Sequence, residues 1–179
     1  KRSVSMEKLT MLFTDDDQAA TRMFNSEEAH WLAGPGDYDG LFLQEAIQAN
    51  PIFSTHYWYF NCRKEPWNKD SVRRALALLL PWKEIRDSSV YMVPAETLVL
   101  PLPGYSEAQG ISARNKDEAL KLLEAAGYPE GKGLPELKIY FAESRDNRRV
   151  LQLFQTAWKV LPEFKVSLLP LAPSRYYQF

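Results

Sequence analysis

Cysteine and histidine are scarce in this sequence. Cys62 is the single cysteine in the chain, so no disulfide can form within it. The two histidines, His30 and His56, lie far apart, and neither stands in the close spacing that zinc ligands adopt. We therefore expect neither a transition-metal site nor a metal cofactor.

Long apolar runs and an excess of one charge are also missing. No apolar run approaches the ~20 residues that a helix needs to span a bilayer, and we expect no signal peptide within this stretch. The 22 basic and 23 acidic residues give a net charge of −1, which indicates no attraction to nucleic acid. The chain starts at Lys1 and stops at Phe179, and we expect it to be a piece of a longer protein.

The usual signatures of catalysis are absent. No Gly-x-Ser-x-Gly motif occurs. The glycine-rich stretch 127–133 follows a predicted helix and precedes a predicted strand, the reverse of the order in a phosphate-binding loop. An enzyme hypothesis would rest on Cys62 alone, so we expect a protein without catalytic activity and without a cofactor.

Two stretches carry the strongest helical patterns. Apolar residues recur at helical spacing across Val72–Leu80, with Asn68 or Asp70 as the expected cap and Pro81 as the stop. The second pattern begins with a capping box formed by Asn115 and Glu118 and ends at Gly127. The pair Arg73-Arg74 is typical of a solvated helix face.

The remaining elements indicate an α/β or α+β fold with a mixed sheet. Alternating strands at 137–141 and 164–169 flank a helix at 150–161, which predicts a parallel β-α-β unit. Further expectations are strands at 9–13 and 56–60, a helix from Asp39 to Ala49, and a helix ending near Phe24. One of the three aspartates at 15–17 is expected to cap that last helix.

An aromatic run lies directly before the first strong helix. The residues His56-Tyr57-Trp58-Tyr59-Phe60 are followed by the polar hinge 61–64. Such a run either packs in the core or forms the wall of a ligand site, where tyrosine provides contact area and a hydroxyl group. On the second interpretation Tyr59 and Asn61 are candidate ligand-binding residues.

Several segments together resemble the extracellular solute-binding proteins of family 5, the binding components of importers for oligopeptides, dipeptides and nickel. The similar segments are YWYFN at 57–61 with PWNKDSVRRAL at 66–76, the loop from Pro94 to Tyr105, and ALKLLEAAGYPEGKGLP at 119–135. The strand, helix and strand that follow continue the pattern. The resemblance covers residues 9–179.

This resemblance implies an α/β fold, a mixed β-sheet with flanking helices that forms one lobe of a type II periplasmic-binding-protein-like fold. Residues 1–179 are then a single partial domain, much of the second lobe (domain III). The first lobe, the C-terminal return and the main ligand-gripping residues lie outside this chain. By similarity Lys64, Ser144 and Asn147 face the cleft and join Tyr59 and Asn61 as ligand-binding candidates.

The implied function is a non-catalytic lobe that binds a peptide or another small solute for an ABC permease, in the periplasm or at the outer face of the cytoplasmic membrane. Two departures keep an alternative open: the family's Asp-Arg pair before Ile85 is missing here, and so is the tryptophan expected around Ala172 to Ser174. The alternative is a cytoplasmic solute-sensing domain of a transcription regulator built on the same lobe. In neither case do we expect this segment to contact nucleic acid.

Overall fold

The computed structural model describes residues 5–33, 37–48, 54–88, 93–99, 102–105 and 110–176, except the side chains of 173 and 174. The chain divides into two compact units, Lys1–Ile52 and Phe53–Phe179. Within the described ranges, no helix combines the length and the apolar character needed to cross a bilayer.

The described part of the first unit contains one α-helix, α1, from Asp17 to Asn25. The carboxylate of Asp16 accepts hydrogen bonds from the backbone N–H groups of Gln18 and Ala19, at 2.9 and 3.0 Å. These bonds satisfy donors that the first helical turn leaves open. The prediction that one of the three aspartates caps this helix is therefore confirmed.

Two other predictions in the first unit are wrong. Residues 9–13 form no strand and are exposed, Phe13 at 91%. The predicted Asp39–Ala49 helix is replaced, in its described part, by the 3₁₀ turns Tyr38–Gly40 and Gln44–Ala46. The side chain of Asn25 explains the break, because it donates to Gly40 O at 2.8 Å and accepts from Phe42 N–H at 3.1 Å. Residue 49 itself lies outside the described ranges.

The second unit is built around helix α2, Asp70–Leu78, whose Val72, Ala75 and Leu76 are fully buried. This confirms the helix that the apolar spacing predicts. The predicted cap is wrong, since Lys69 occupies the capping position and forms no side-chain bond there. Asp70 is instead the first helical residue and pairs with Arg73 at 3.1 Å, a favourable place for a negative charge.

Three separate elements meet at the C-terminal end of α2. Its last carbonyl groups have no partner within the helix and must find one elsewhere. Leu76 O accepts from the indole of Trp158 at 2.8 Å, and Ala77 O accepts from the indole of Trp82 at 2.9 Å. Leu78 O accepts from the backbone N–H of Asn115 at 2.9 Å. Trp82 begins α3, Trp82–Arg86, which follows the predicted stop at Pro81.

Helix α4, Lys116–Ala125, has both predicted ends. The side chain of Asn115 accepts from Glu118 N–H and donates to the Glu118 carboxylate, both at 3.1 Å. At the other end, Gly127 has φ of +91°. Its N–H donates to Glu124 O at 3.0 Å, and Tyr128 N–H donates to Leu123 O at 2.8 Å. This is a Schellman motif, which requires the left-handed conformation that glycine adopts easily.

The predicted β-α-β unit is present. Strand β1, Leu137–Ala142, and strand β2, Val166–Leu171, pair in parallel from Leu137 opposite Val166 to Ala142 opposite Leu171. Helix α5, Arg145–Trp158, connects them, and the short helix α6, Pro173–Tyr176, follows β2. The α/β class is confirmed. In the described ranges the sheet consists of this parallel pair, without the antiparallel strand that the expected mixed sheet requires.

The predicted strand at 56–60 is wrong for the described chain. These residues have no regular secondary structure. Trp58 and Phe60 nevertheless pack on the core, since the Trp58 ring meets Phe154 at 5.9 Å and the Phe60 ring stacks on Trp67 at 5.8 Å. Among the described residues no neighbouring strand pairs with this run, and a strand exists only through such pairing.

Candidate functional site

The aromatic run at 56–60 presents two different faces. Trp58 and Phe60 are partly buried against the core, as one interpretation of the sequence requires. Tyr57 and Tyr59 alternate with them and are 56% and 77% exposed. Their rings lie 6.1 Å apart, so together they form a small exposed aromatic surface. The run thus packs against the core with one face and exposes the other.

The hinge at 61–64 is held by hydrogen bonds between residues that are close in sequence. The Asn61 side chain accepts from Arg63 N–H at 3.2 Å, and the Cys62 thiol donates to Phe60 O at 3.3 Å. Lys64 O accepts from Asn68 N–H at 3.1 Å. All four hinge side chains are exposed. Local bonds therefore shape the backbone while amide, thiol and cationic groups remain at the surface.

Two shallow depressions, both open to solvent, adjoin this segment. The first depression has a volume of about 560 Å³ and is lined by Tyr59, Phe60, Asn61, Cys62 and Arg63. The second depression shares part of that lining and extends toward α2, with residues from three segments: Trp58, Tyr59, Phe60, Cys62, Asp70, Arg73, Arg74, Ala77 and Ile111. Its lining combines apolar side chains with the charged groups of Asp70, Arg73 and Arg74.

The charges in that lining are paired. Arg73 donates to Asp70 at 3.1 Å and to Trp67 O at 2.8 Å. Arg74 donates to the Glu118 carboxylate at 3.2 and 3.3 Å, which joins α2 to α4. Because both guanidinium groups already have carboxylate partners, the lining presents hydrogen-bonding groups without a strong net field.

The turn between β1 and α5 carries the other two candidates. Ser144 caps α5, and its hydroxyl oxygen accepts from Asn147 N–H at 3.1 Å. The Asn147 side chain donates to Ala142 O, the last residue of β1, at 2.8 Å. Arg148 forms a two-pronged ion pair with Glu143 at 2.7 Å. The turn is thus fixed at the carboxyl end of a parallel strand, where α/β proteins commonly bind ligands.

His56 connects the aromatic run with the start of α5 electrostatically. Its ring lies 5.5 Å from that of Trp58. Partial burial of the ring lowers the pKa of His56 below its ordinary value, and the nearby carboxylate of Asp146 offsets part of this effect. Asp146 lies in the first turn of α5. The neutral imidazole is therefore favoured relative to that of a fully solvated histidine.

The structure places four of the five candidates in two sets and leaves Lys64 apart from both. Tyr59 and Asn61 together line the first depression. Ser144 and Asn147 bond to each other at the turn. Lys64 is exposed on the hinge but lines neither depression. Their roles toward a ligand stay predictions.

The lining residues that the sequence analysis did not connect with a site include the pair Arg73-Arg74 and Ile111. The arginine pair was assigned to a solvated face, and nothing in the local pattern of Ile111 connects it with α2. No group of three or more histidine, cysteine, aspartate or glutamate side chains that could hold a metal ion occurs in the described ranges. The arrangement offers aromatic and hydrogen-bonding contacts for reversible binding.

A comparison with protein families gives a match over nearly the whole chain. The sequence model described as "Bacterial extracellular solute-binding proteins, family 5 Middle" matches residues 1–178. The chain is similar to the dipeptide-binding protein DppE of Bacillus subtilis (strain 168), with 22% identity over 172 residues. That match covers 89% of this chain and 31% of DppE.

Solved structures show the same fold. One of them is a periplasmic oligopeptide-binding protein from the oligopeptide ABC transporter of Borrelia burgdorferi. It aligns with a TM-score of 0.57 and 28% identity, over 67% of this chain and 24% of that one. The unliganded open form of MppA, a periplasmic murein tripeptide binding protein, aligns with a TM-score of 0.50 and 23% identity, over 76% of this chain and 28% of that one. The chain therefore spans less than a third of the length of these relatives.

Proposed function

The chain belongs to the bacterial extracellular solute-binding proteins of family 5, and from this premise we propose that it is a ligand-binding lobe of a peptide receptor. In this proposal the lobe is non-catalytic and forms much of the second lobe (domain III) of the receptor. The receptor works in the periplasm or at the outer face of the cytoplasmic membrane and delivers its ligand to an ABC permease.

The observation that carries the proposal is the exposed tyrosine pair beside the polar hinge. Tyr57 and Tyr59 point away from the core that Trp58 and Phe60 join. Rigid aromatic side chains contribute contact area at low entropic cost, and their hydroxyls can bond to the polar backbone of a peptide. Tyr59, Asn61 and Lys64 are the proposed contacts on this side, with Ser144 and Asn147 at the end of β1.

The proposed mechanism is closure of two lobes around the ligand. A ligand that touches both lobes favours the closed arrangement by its differential affinity for that state, and the permease recognises the closed receptor. One lobe supplies only part of the contacts. We therefore expect this chain alone to bind peptides weakly, with a dissociation constant of about 1 mM or higher.

Cys62 offers a direct test, since it is exposed, is the single cysteine and lines both depressions. Trialanine at millimolar concentration is expected to slow the alkylation of Cys62 by iodoacetamide, whereas free alanine is not. The thiol of glutathione, alkylated under the same conditions, controls for direct effects of the peptide on the reagent.

Two variants locate the effect. Tyr59→Ala is expected to abolish the protection of Cys62, and Tyr105→Ala, which removes another exposed tyrosine, is expected to leave it intact. Equal protection in both variants contradicts the proposed site. Nanomolar trialanine binding by this chain in calorimetry contradicts the proposal that it forms only part of a cleft.

The regulator alternative gains no support from the relatives described above. The gene sequence upstream of this chain decides between the two functions. A lipobox or signal peptide supports a transport receptor, and a helix-turn-helix segment supports a regulator.

A further inference from the structure

Arg86, the last residue of α3, binds the backbone of two distant loop segments at once. Its Nε donates to Ala95 O at 3.0 Å. One terminal nitrogen donates to Ser112 O at 3.1 Å and the other to Ile111 O at 2.7 Å. The guanidinium group also lies over the ring of Trp82, 5.0 Å from its centroid. A single side chain thus ties together two arms of the connection between α3 and α4.

The fork geometry of arginine is essential to this arrangement. Three N–H groups in one plane reach three carbonyl oxygens, two of them on adjacent residues and the third on the other arm. An ammonium group is a compact point donor and cannot reproduce this planar spread. All three acceptors are neutral carbonyls, so shape as well as charge decides the contact.

One of the two arms forms a wall of the second depression. Ile111 lines that depression and is partly buried against the core. A little further along, the backbone N–H of Asn115 binds Leu78 O, and its side chain caps α4. Residues 111–115 are thus fastened to α3 by Arg86 at one end and to α2 by Asn115 at the other.

We propose that Arg86 is a positioning residue for ligand binding: it sets the place of Ile111 and, through it, the shape of the second depression beside Tyr59. This inference rests on the proposed function for its ligand, and on the contacts of Arg86 for its structural half. Arg86 does not line the depression, so it acts through Ile111. Without the guanidinium fork, the 110–112 arm separates from α3 and the wall loses its fixed position.

The structural half is tested without any ligand. Arg86→Gln removes the fork, and Arg86→Lys keeps the charge but not the planar spread. Both variants are expected to increase the hydrogen-exchange rate of residues 111–112 and the alkylation rate of Cys62, with Lys restoring little of the wild-type behaviour. Lys83→Gln is the matched control, because Lys83 lies on the same helix, is exposed and pairs only with Asp87 in the described ion pairs.

The denaturation midpoint distinguishes positioning from general loss of stability. A solely structural role would lower the midpoint and raise exchange throughout α2 and α4 as well. Positioning confines the change to the 110–112 arm and Cys62. Unchanged exchange at this arm together with an unchanged Cys62 rate in Arg86→Gln overturns the inference, and so does an increase spread evenly over the unit.

The binding half uses trialanine and the wild-type response of Cys62. The trialanine concentration that gives half-maximal protection of Cys62 is expected to rise about twofold to thirtyfold in Arg86→Gln. This is the range for residues that influence binding without touching the ligand. If Arg86→Gln and wild type need the same trialanine concentration for half-maximal protection, the inference is overturned. If wild type shows no protection at all, the proposed function fails, while local exchange still decides whether Arg86 positions Ile111.

Discussion

The indole Nε1 of Trp158 donates to the backbone carbonyl of Leu76 at 2.8 Å, so that the end of α5 caps the end of α2. Both residues are buried. Together with Trp82 and Asn115, which bind the next two carbonyls, this bond makes the C-terminal end of α2 the meeting point of α3, α4 and α5. The candidate site lies beside the same helix, because Arg73, Arg74 and Ala77 line the second depression.

Replacing Trp158 with phenylalanine should destabilise the second unit. The change keeps an aromatic ring but leaves the buried Leu76 carbonyl without its indole donor, which costs about 1–3 kcal/mol. Urea denaturation followed by circular dichroism measures the loss. Trp31→Phe provides the control, because Trp31 is 81% exposed and should change the free energy of unfolding by less than about 0.5 kcal/mol. A Trp158→Phe protein as stable as wild type would show that the bond contributes nothing.

Two glycines offer a matched comparison of backbone strain and crowding. Gly127 and Gly131 have φ of +91° and +82°, so alanine at either position costs about 1–2 kcal/mol of conformational strain. A Cβ atom at 127 meets nothing within 4 Å, whereas at 131 it lies 3.0 Å from Cβ of the buried Leu161. Gly131→Ala should therefore destabilise the unit more than Gly127→Ala in thermal or urea unfolding. Equal losses would mean that Leu161 moves aside without cost.

Elements whose partners are close in sequence could be predicted. The cap and stop of α4 are local, since Asn115 binds Glu118 and Gly127 follows directly. Helix α2 shows its buried face in the spacing of Val72, Ala75 and Leu76. The β-α-β unit carries all three elements in one continuous stretch, so its pairing needs no distant segment.

Elements whose partners are distant could not be predicted. The aromatic composition of 56–60 is typical of a strand, but a strand needs a neighbour that the local pattern does not contain. The side chain of Asn25, which lies well upstream, binds the backbone of Gly40 and Phe42, and these bonds interrupt the expected helix. The same holds for the site. Ile111 lines the second depression and its carbonyl accepts a hydrogen bond from Arg86, but no sequence motif connects these two residues.

Ser144 allows its capping role to be separated from a role in ligand binding. Its hydroxyl accepts from Asn147 N–H and caps α5. Ser144→Ala should cost about 1 kcal/mol in urea unfolding, while Ser144→Asp should retain wild-type stability because aspartate caps equally well. If the hydroxyl also binds peptide, Ser144→Asp weakens the protection of Cys62 by trialanine in spite of normal stability. Full protection in Ser144→Asp would restrict Ser144 to capping.

His56 should make the second unit less stable in mild acid. Burial lowers the pKa of His56 in the folded state, with Asp146 opposing part of the shift. The unfolded chain, with an ordinary imidazole pKa of about 6.5, then binds the proton more readily than the folded one. The contribution of neutral His56 to the free energy of unfolding is complete above that value and declines as the pH falls toward the lower folded pKa.

His56→Gln removes this dependence, so the difference in unfolding free energy between wild type and variant should shift in favour of the variant between about pH 7.5 and 5.5. Urea unfolding of both proteins at several pH values measures this difference, in which the other titrating groups cancel. A difference that stays constant, or that shifts in favour of wild type on acidification, contradicts the lowered pKa and would mean that the Asp146 carboxylate outweighs the burial of the ring.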